Sequence, residues 1–149
     1  METVHRVIAT DTPAPPAKLF AVMSDLVTYQ VWMDLIERCE PAVSVDGDEG
    51  PAWWVTLRAK VGPFARSKRL RMVRVSAVEF TSIRFERRES DGRRHSDWVM
   101  EALIDPTDSG SCVSVTLSYS GGLWSGPLDA VLGSKVDSAV PRLREYVSA

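Results

Sequence analysis

The C-terminal segment, residues 124–147, carries apolar residues at steps of three and four, which predicts one long amphipathic helix. Gly126-Pro127 suits the helix entry, because proline is tolerated in a first turn, where its missing N–H has no partner. Pro141 removes a backbone hydrogen bond further along, so we expect a kink there or two helices in series. The stripe needs a broad apolar surface to lie against, and it consists of Leu128, Val131, Leu132, Val136, Ala139, Val140, Leu143, Tyr146 and Val147.

Strand-like alternation between residues 38 and 120 supplies that surface. Residues 52–61 alternate cleanly, with apolar side chains on one face and mainly polar ones on the other. A change of phase between Met72 and Val73 indicates a bulge, which would curve the sheet. Asp91-Gly92 is a hairpin signal. Six strands are predicted in all, at about residues 39–45, 52–61, 66–78, 82–89, 95–105 and 112–120.

The N-terminal part adds one strand and two short helices. Residues 4–10 are a β-rich run, Pro15-Pro16 opens a helix, and a second short helix is predicted around residues 29–36. The order β-α-α-β6-α predicts an α+β fold, in which a curved antiparallel sheet of about seven strands wraps around the long C-terminal helix. No repeat or linker interrupts residues 1–149, so we expect a single domain.

Composition excludes several classes of protein. With 44% apolar and 26% charged residues, the chain is typical of a globular rather than a disordered protein. No apolar run approaches the roughly 20 residues of a membrane span, and no basic-then-apolar leader is visible, so we expect a cytoplasmic location. Cys39 and Cys112 lack partners at metal-ligand spacing and are expected to be reduced thiols in or near the core, although a disulfide between them stays open.

One local pattern resembles a known family. Residues 15–32 begin with a run that is similar to the family opening P-x-x-x-(L/V)-F-x-x-(L/V)-x-D … Y-x-x-W of the START-like, Bet v 1-like (SRPBCC) superfamily. Its bacterial branch includes the polyketide cyclase/dehydrase and lipid-transport family. Val31 stands where the family usually has proline. The run reads Pro15-Pro16-Ala17-Lys18-Leu19-Phe20-Ala21-Val22-Met23-Ser24-Asp25, then Tyr29-Gln30-Val31-Trp32.

The resemblance implies a helix-grip fold and a ligand of the lipid, sterol, polyketide or quinone type, and some members of the family catalyse cyclisation or dehydration. A sheet curved around a helix cannot close tightly everywhere, so we expect a cavity between them. Taken singly, each of these side chains suits a filled core better, whereas for the whole set the resemblance favours a cavity. The expected lining is Trp53, Val55, Leu57, Phe85, Trp98, Met100, Leu117 and Tyr119 from the sheet, Leu128 and Leu132 from the helix, and Trp32 and Met33 near the mouth.

Two polar residues are candidates for ligand contact. Arg87 shares a strand face with Ile83 and Phe85, so its guanidinium is expected either at the cavity rim, holding a carboxylate, phenolate or enolate, or extended into solvent. Tyr119 is expected either to donate a hydrogen bond into the cavity or to turn its hydroxyl outward at the rim. These alternatives cannot be separated by the sequence pattern.

The sequence offers little catalytic equipment. His95 lies in phase with Asp97 on a predicted strand, which would make an acid/base pair, but on the outward face. No Gly-x-Ser-x-Gly motif, metal-ligand spacing or phosphate loop is present, so we expect no cofactor and no metal, and catalytic residues stay unassigned.

Three hypotheses for function follow. The first is a binding protein for a small hydrophobic molecule, and the second is a polyketide cyclase or dehydratase that uses the same cavity. The third is a nucleic-acid or protein-binding module, because residues 58–94 hold 12 Lys/Arg against 4 Asp/Glu in a chain of net charge −2. It ranks last, and it predicts one exposed basic face made of Arg66, Lys68, Arg69, Arg71, Arg84 and Arg88, with Trp54 as its stacking aromatic. An exposed Trp54 or Trp124 would equally mark a homodimer surface.

Overall fold

The computed structural model of the chain describes residues 3–120 and 127–148. In these ranges seven strands form one antiparallel sheet, namely β1 (Val4–Thr12), β2 (Ile36–Ala42), β3 (Ala52–Val61), β4 (Phe64–Val78), β5 (Ser82–Arg87), β6 (Trp98–Thr107) and β7 (Gly110–Tyr119). Their spatial order is β1-β7-β6-β5-β4-β3-β2, so every strand after β2 pairs with its predecessor and β1 closes onto β7. The predicted α+β helix-grip fold is confirmed.

Helical elements join the two edges of the sheet and then cross its concave face. Between β1 and β2 lie α1 (Pro16–Met23), a 3-10 turn (Leu26–Thr28) and α2 (Tyr29–Trp32). The second helix is shorter than predicted, because Ile36 already belongs to β2. The long helix, α3 (Pro127–Ser148), begins at the proline that the sequence places in its first turn. Trp124 and Gly126, which belong to the predicted C-terminal helix and its entry, lie outside the described ranges.

Pro141 lies inside α3, which continues through it as a single helix. The alternative of two helices in series is therefore wrong. Pro141 and Asp137 are both exposed, so water can hydrate the Asp137 carbonyl that loses its helical N–H partner. The opposite face holds the helix in place, since Val136, Ala139 and Leu143 are almost completely buried. Burial of a side chain such as Val136 or Leu143 stabilises the fold by about 1.5–3 kcal/mol, and the methyl group of Ala139 contributes less.

The strands expose the faces that their alternation predicts. In β3, Trp53, Val55 and Leu57 are buried on the concave side, and the residues between them are exposed or half-buried. β7 shows the same alternation of buried and half-buried residues along its whole length, and β6 shows the same kind of alternation from Trp98 to Asp105. The bulge is displaced from the predicted site, because β3 and β4 pair regularly through Val73 and the register shifts only between Arg74 and Ser76, against β5.

The segment between β5 and β6 is longer than the hairpin predicted at Asp91-Gly92. β5 ends at Arg87 and β6 starts at Trp98, so residues 88–97 form a loop rather than strand ends. His95 is therefore not on a strand. None of the helices in the described ranges combines the length and the apolarity that crossing a bilayer requires.

Candidate ligand-binding site

An apolar pocket lies on the concave face of the sheet, among side chains that point inward from several strands and from the segment after α2. Six of the predicted ligand-binding residues line it: Met33, Val55, Leu57, Trp98, Met100 and Leu117. Leu35, Ile36, Leu70 and Met72, which sequence analysis did not select, complete the lining. The pocket has a volume of only about 10 Å³. That volume accommodates about one water molecule.

Three more predicted residues belong to an aromatic cluster in the core. The ring of Tyr29 lies 5.0 Å from that of Trp32 and 5.7 Å from that of Phe85, and Trp53 lies 5.6 Å from Phe85. Trp32 and Met33 were selected from helical spacing and were expected near the mouth of the cavity, but both are fully buried. They are buried because the segment around α2 packs inward against the core, where Tyr29 contacts both Trp32 and Phe85.

Two polar atoms inside this cluster differ in how they are satisfied. The Tyr29 hydroxyl donates to the Met23 carbonyl at 3.0 Å, and burial raises the pKa of the phenol, which makes it a structural group rather than an acid at neutral pH. The Trp32 indole nitrogen Nε1 is buried and has no hydrogen-bond partner among the described residues. A buried donor left without a partner costs roughly 1–3 kcal/mol.

Arg87 marks the polar end of the concave face. Its side chain is only 7% exposed, and Nε donates to Glu89 Oε2 at 2.7 Å. Nη1 donates to the Ser96 carbonyl at 3.2 Å and to the Ser96 hydroxyl at 3.3 Å, while Nη2 donates to His95 Nδ1 at 3.2 Å. The alternative of a solvent-exposed Arg87 is therefore wrong, because residues 88–97 fold over it and supply acceptors.

His95 pairs with Asp91, not with Asp97 as its predicted strand position implied. Its Nε2 lies 2.9 Å from Asp91 Oδ2. A guanidinium can only donate, so Nδ1 accepts from Arg87 and the proton of the neutral ring lies on Nε2, directed at Asp91. Hydrogen bonds from the Arg93 amide and from His95 lower the pKa of Asp91. The lone pair of this imidazole is thus occupied by Arg87.

Trp98 and Tyr119 form a stacked pair beside this polar end, with ring centroids 4.9 Å apart and planes 15° from parallel. Both rings line a cleft of about 430 Å³ at the strand ends, together with Arg87 and polar side chains such as His5 and Asp97. Trp98 lines the apolar pocket as well, so it separates the small apolar pocket from the larger polar cleft.

Leu128 and Leu132 lie in the first turns of α3, and their side chains are outside the described part of the chain. Their predicted role in the lining stays a prediction. Of the described residues, none form a group of three or more His, Cys, Asp or Glu side chains that could hold a metal ion.

Lys68 lies on the concave face, a position that sequence analysis missed. It was assigned to an exposed basic face, yet in the sheet it lies directly opposite Leu57, whose side chain is buried on the concave face. The sequence contained a signal, because Lys68 stands two and four residues before Leu70 and Met72, which share its face. Burial, and then the charge of Arg87, lowers the pKa of Lys68.

The predicted basic face itself is not assembled. Arg66 and Lys68 lie opposite the buried residues Ala59 and Leu57, whereas Arg69 and Arg71 lie on the other side of β4. Arg71 is 2% exposed and bound to Asp48. Arg84 and Arg88 are both paired with Glu86, and the Trp54 ring is covered by Arg69 at 4.1 Å. Opposite charges and burial thus account for much of this cationic charge.

Sequence comparison decides the family. The sequence profile for "Polyketide cyclase / dehydrase and lipid transport" matches residues 1–147. The chain belongs to this family. The resemblance to the START-like, Bet v 1-like superfamily is confirmed. A search of curated protein sequences found no significant match.

Solved structures of low sequence identity share the fold of this family member. A protein from Chromobacterium violaceum is 17% identical, with a TM-score of 0.65 over 100% of this chain and 99% of that chain. A protein from Deinococcus radiodurans is 17% identical, with a TM-score of 0.64 over 99% and 98%. Ara h 8.0201 is 19% identical, with a TM-score of 0.59 over 98% of each chain. These similarities concern the fold alone.

Proposed function

We propose that the protein binds one small hydrophobic molecule, of the lipid, polyketide or quinone type, between the concave face of the sheet and α3. The observation that carries the proposal is the division of this face. Its floor, by which we mean the described lining of the small pocket, consists of apolar side chains, and a group of charged and polar side chains around Arg87 lies at one end. A floor without polar groups suits an apolar ligand body, and a polar end fixes its orientation.

Binding requires the floor to open, because ligand pockets usually have volumes of roughly 300–1,000 Å³. Three of the ten described lining residues are methionines, Met33, Met72 and Met100. Methionine has an unbranched, polarizable side chain that changes shape at low cost, so a methionine-rich lining adapts to ligands of different outline. The small volume is thus that of a closed state, from which side-chain rearrangement makes room.

The test is native mass spectrometry of the protein purified from its own host, followed by organic extraction of the bound material. One apolar species at one-to-one stoichiometry is expected. A protein that carries nothing and also fails to enhance the fluorescence of N-phenyl-1-naphthylamine, a neutral hydrophobic dye, would show that these residues only fill a core.

A second candidate function is cyclisation or dehydration of a polyketide in the same place. The His95–Asp91 pair next to Arg87 favours it, because a neutral imidazole oriented by a carboxylate is suited to general acid/base catalysis. It ranks second, since His95 must first release its bond to Arg87 before it can accept a proton. Turnover of a linear poly-β-ketone to an aromatic product, abolished in His95→Ala, would establish the enzyme.

We also propose a cytoplasmic location. Cys39 and Cys112 are free thiols in the structure, on strands β2 and β7 at different parts of the sheet. Unpaired cysteines of this kind suit a reducing compartment.

A further inference from the structure

Lys68 has an unusual place for a lysine in this sheet. Its Cα is paired across the strands with Leu57, and directly opposed residues in an antiparallel pair project to the same face. Leu57 is 3% exposed and lines the apolar pocket. The ammonium-bearing side chain of Lys68 therefore starts on the concave face, next to the floor.

The ammonium group is directed at the polar end. Lys68 Nζ donates to the Ser96 hydroxyl oxygen at 3.1 Å, and Arg87 Nη1 donates to the same oxygen at 3.3 Å. A hydroxyl oxygen has two lone pairs, so both bonds form together and the hydroxyl hydrogen remains available to donate. Two cations thus meet at one neutral oxygen.

The two cations differ in how far they are already compensated. Arg87 has a carboxylate partner, Glu89, and both side chains are at most 10% exposed, so this arginine is fixed in place. Its three nitrogens all have acceptors. Lys68 has three N–H donors, and within residues 3–120 and 127–148 no carboxylate lies at ion-pair distance from it. Lys68 is therefore the cation whose N–H donors are available to a ligand.

The electrostatic surroundings of Lys68 favour an added negative charge. Partial burial weakens its hydration, and the positive charge of Arg87 acts on it more strongly than the negative charge of Glu89, so its pKa is lowered. Such an ammonium group gains more from an anion than an exposed lysine does, because the anion replaces lost hydration and offsets the repulsion from Arg87.

We propose that Lys68, together with the Ser96 hydroxyl, binds an anionic oxygen group of the ligand, such as a carboxylate or an enolate, while the apolar body of the same molecule lies on the floor next to Leu57. The inference rests on the proposed function and narrows its ligand to an anionic amphiphile. Arg87, for which sequence analysis gave this role as one of two alternatives, instead orients Ser96.

The test compares two dyes that share one skeleton. 1-Anilinonaphthalene-8-sulfonate carries an anionic group, and N-phenyl-1-naphthylamine lacks it. Both are titrated into the wild type, Lys68→Met, Lys68→Arg and the control Lys60→Met. Lys60 is exposed on β3, next in sequence to the buried Ala59, and so points to the opposite face.

We expect Lys68→Met to weaken binding of the sulfonate dye about tenfold, the usual effect of losing a charge-assisted hydrogen bond, and to leave the neutral dye within about twofold. Lys68→Arg is expected to keep most of the wild-type affinity for the sulfonate dye, and Lys60→Met is expected to keep all of it. Displacement of the neutral dye by dodecanoate should weaken about tenfold in Lys68→Met, with displacement by dodecanol unchanged.

Three outcomes would overturn the inference and leave the proposed function in place. In the first, Lys68→Met loses as much affinity for the neutral dye as for the sulfonate dye; in the second, Lys60→Met loses as much affinity for the sulfonate dye as Lys68→Met does. In the third, Lys68→Met binds the sulfonate dye and dodecanoate as tightly as the wild type. Failure of both dyes to bind the wild type would overturn the proposed function and the inference with it. Thermal unfolding of each variant, expected at the wild-type temperature, shows that the fold is unchanged.

Discussion

Asp48 and Arg71 form a nearly buried ion pair, with Arg71 Nη2 2.6 Å from Asp48 Oδ2 and side chains 2% and 7% exposed. The same guanidinium donates to the Val43 and Arg88 carbonyls at 2.9 and 3.1 Å. The pair fastens the β2–β3 connection onto β4, and so it closes the convex side of the sheet behind the candidate site.

Asp48→Asn should lower the free energy of unfolding by about 3 kcal/mol, the lower end for breaking a buried pair, because an open cleft beside the pair lets water reach Arg71. Asp46→Asn, in the same turn but exposed and without a described ion-pair partner, is the control and should change stability by less than about 0.5 kcal/mol. Urea unfolding measures both, and equal effects would contradict the assignment.

The same pair predicts acid sensitivity. The hydrogen bond from Arg71 lowers the pKa of Asp48 to about 2, below its value in the unfolded chain. A depressed carboxyl pKa adds stability that is complete above the unfolded pKa of about 4 and is lost as the pH falls towards 2. Between these pH values, the wild type should therefore lose more unfolding free energy than Asp48→Asn. Parallel curves for the two proteins would refute this.

Met100 and Leu103 on β6 offer a matched test of the floor. Met100 is 5% exposed in the pocket lining, whereas Leu103 is 43% exposed on the other face. Met100→Ala should cost about 2–5 kcal/mol of stability and leave a cavity, whereas Leu103→Ala should cost at most about 0.5 kcal/mol. The enlarged pocket of Met100→Ala should bind N-phenyl-1-naphthylamine more tightly, and an unchanged affinity would argue against binding at this pocket.

The two cysteines should react at different rates. Burial, with a smaller effect from Asp25, raises the pKa of the Cys39 thiol to about 12, and burial also raises that of the half-buried Cys112. The thiolate is the reactive species, so at pH 8 Cys39 should react with Ellman's reagent at least about tenfold more slowly than Cys112 does. Cys112→Ser isolates Cys39, and denaturant should abolish the difference. Equal rates in the folded protein would show that β2 does not shield Cys39.

Arg142 ties α3 to the end of α2 through two contacts, an ion pair with Asp34 and a hydrogen bond to the Val31 carbonyl at 3.0 Å. Both side chains of the ion pair are about half exposed. Asp34→Ala should therefore cost only about 0.2–1 kcal/mol, and Arg142→Ala slightly more, because it also loses the bond to the carbonyl. A double-mutant cycle in urea gives the coupling, which should shrink in 1 M salt.

Much of the architecture follows from local sequence patterns. The period of two in β3, β6 and β7 predicts which side chains face the core, and the stripe on α3 predicts Val136, Ala139 and Leu143 as its buried side. These patterns are local because each residue's direction depends on its neighbours along the same element. They fail at Ile36, where a strand that pairs with β3 replaces the end of the predicted short helix.

The sequence by itself determined the fold, the family and six of the ten described residues of the apolar floor, because periodicity and the opening motif are properties of contiguous residues. Only the tertiary structure decided what the charged residues do. Lys68 and Arg87 both donate to Ser96, and Arg71 is buried beneath the β2–β3 connection. These contacts join residues that are far apart in the chain. Where a long, flexible cation ends is determined by the acceptors that other strands and loops bring to it, and a one-dimensional pattern does not contain that information.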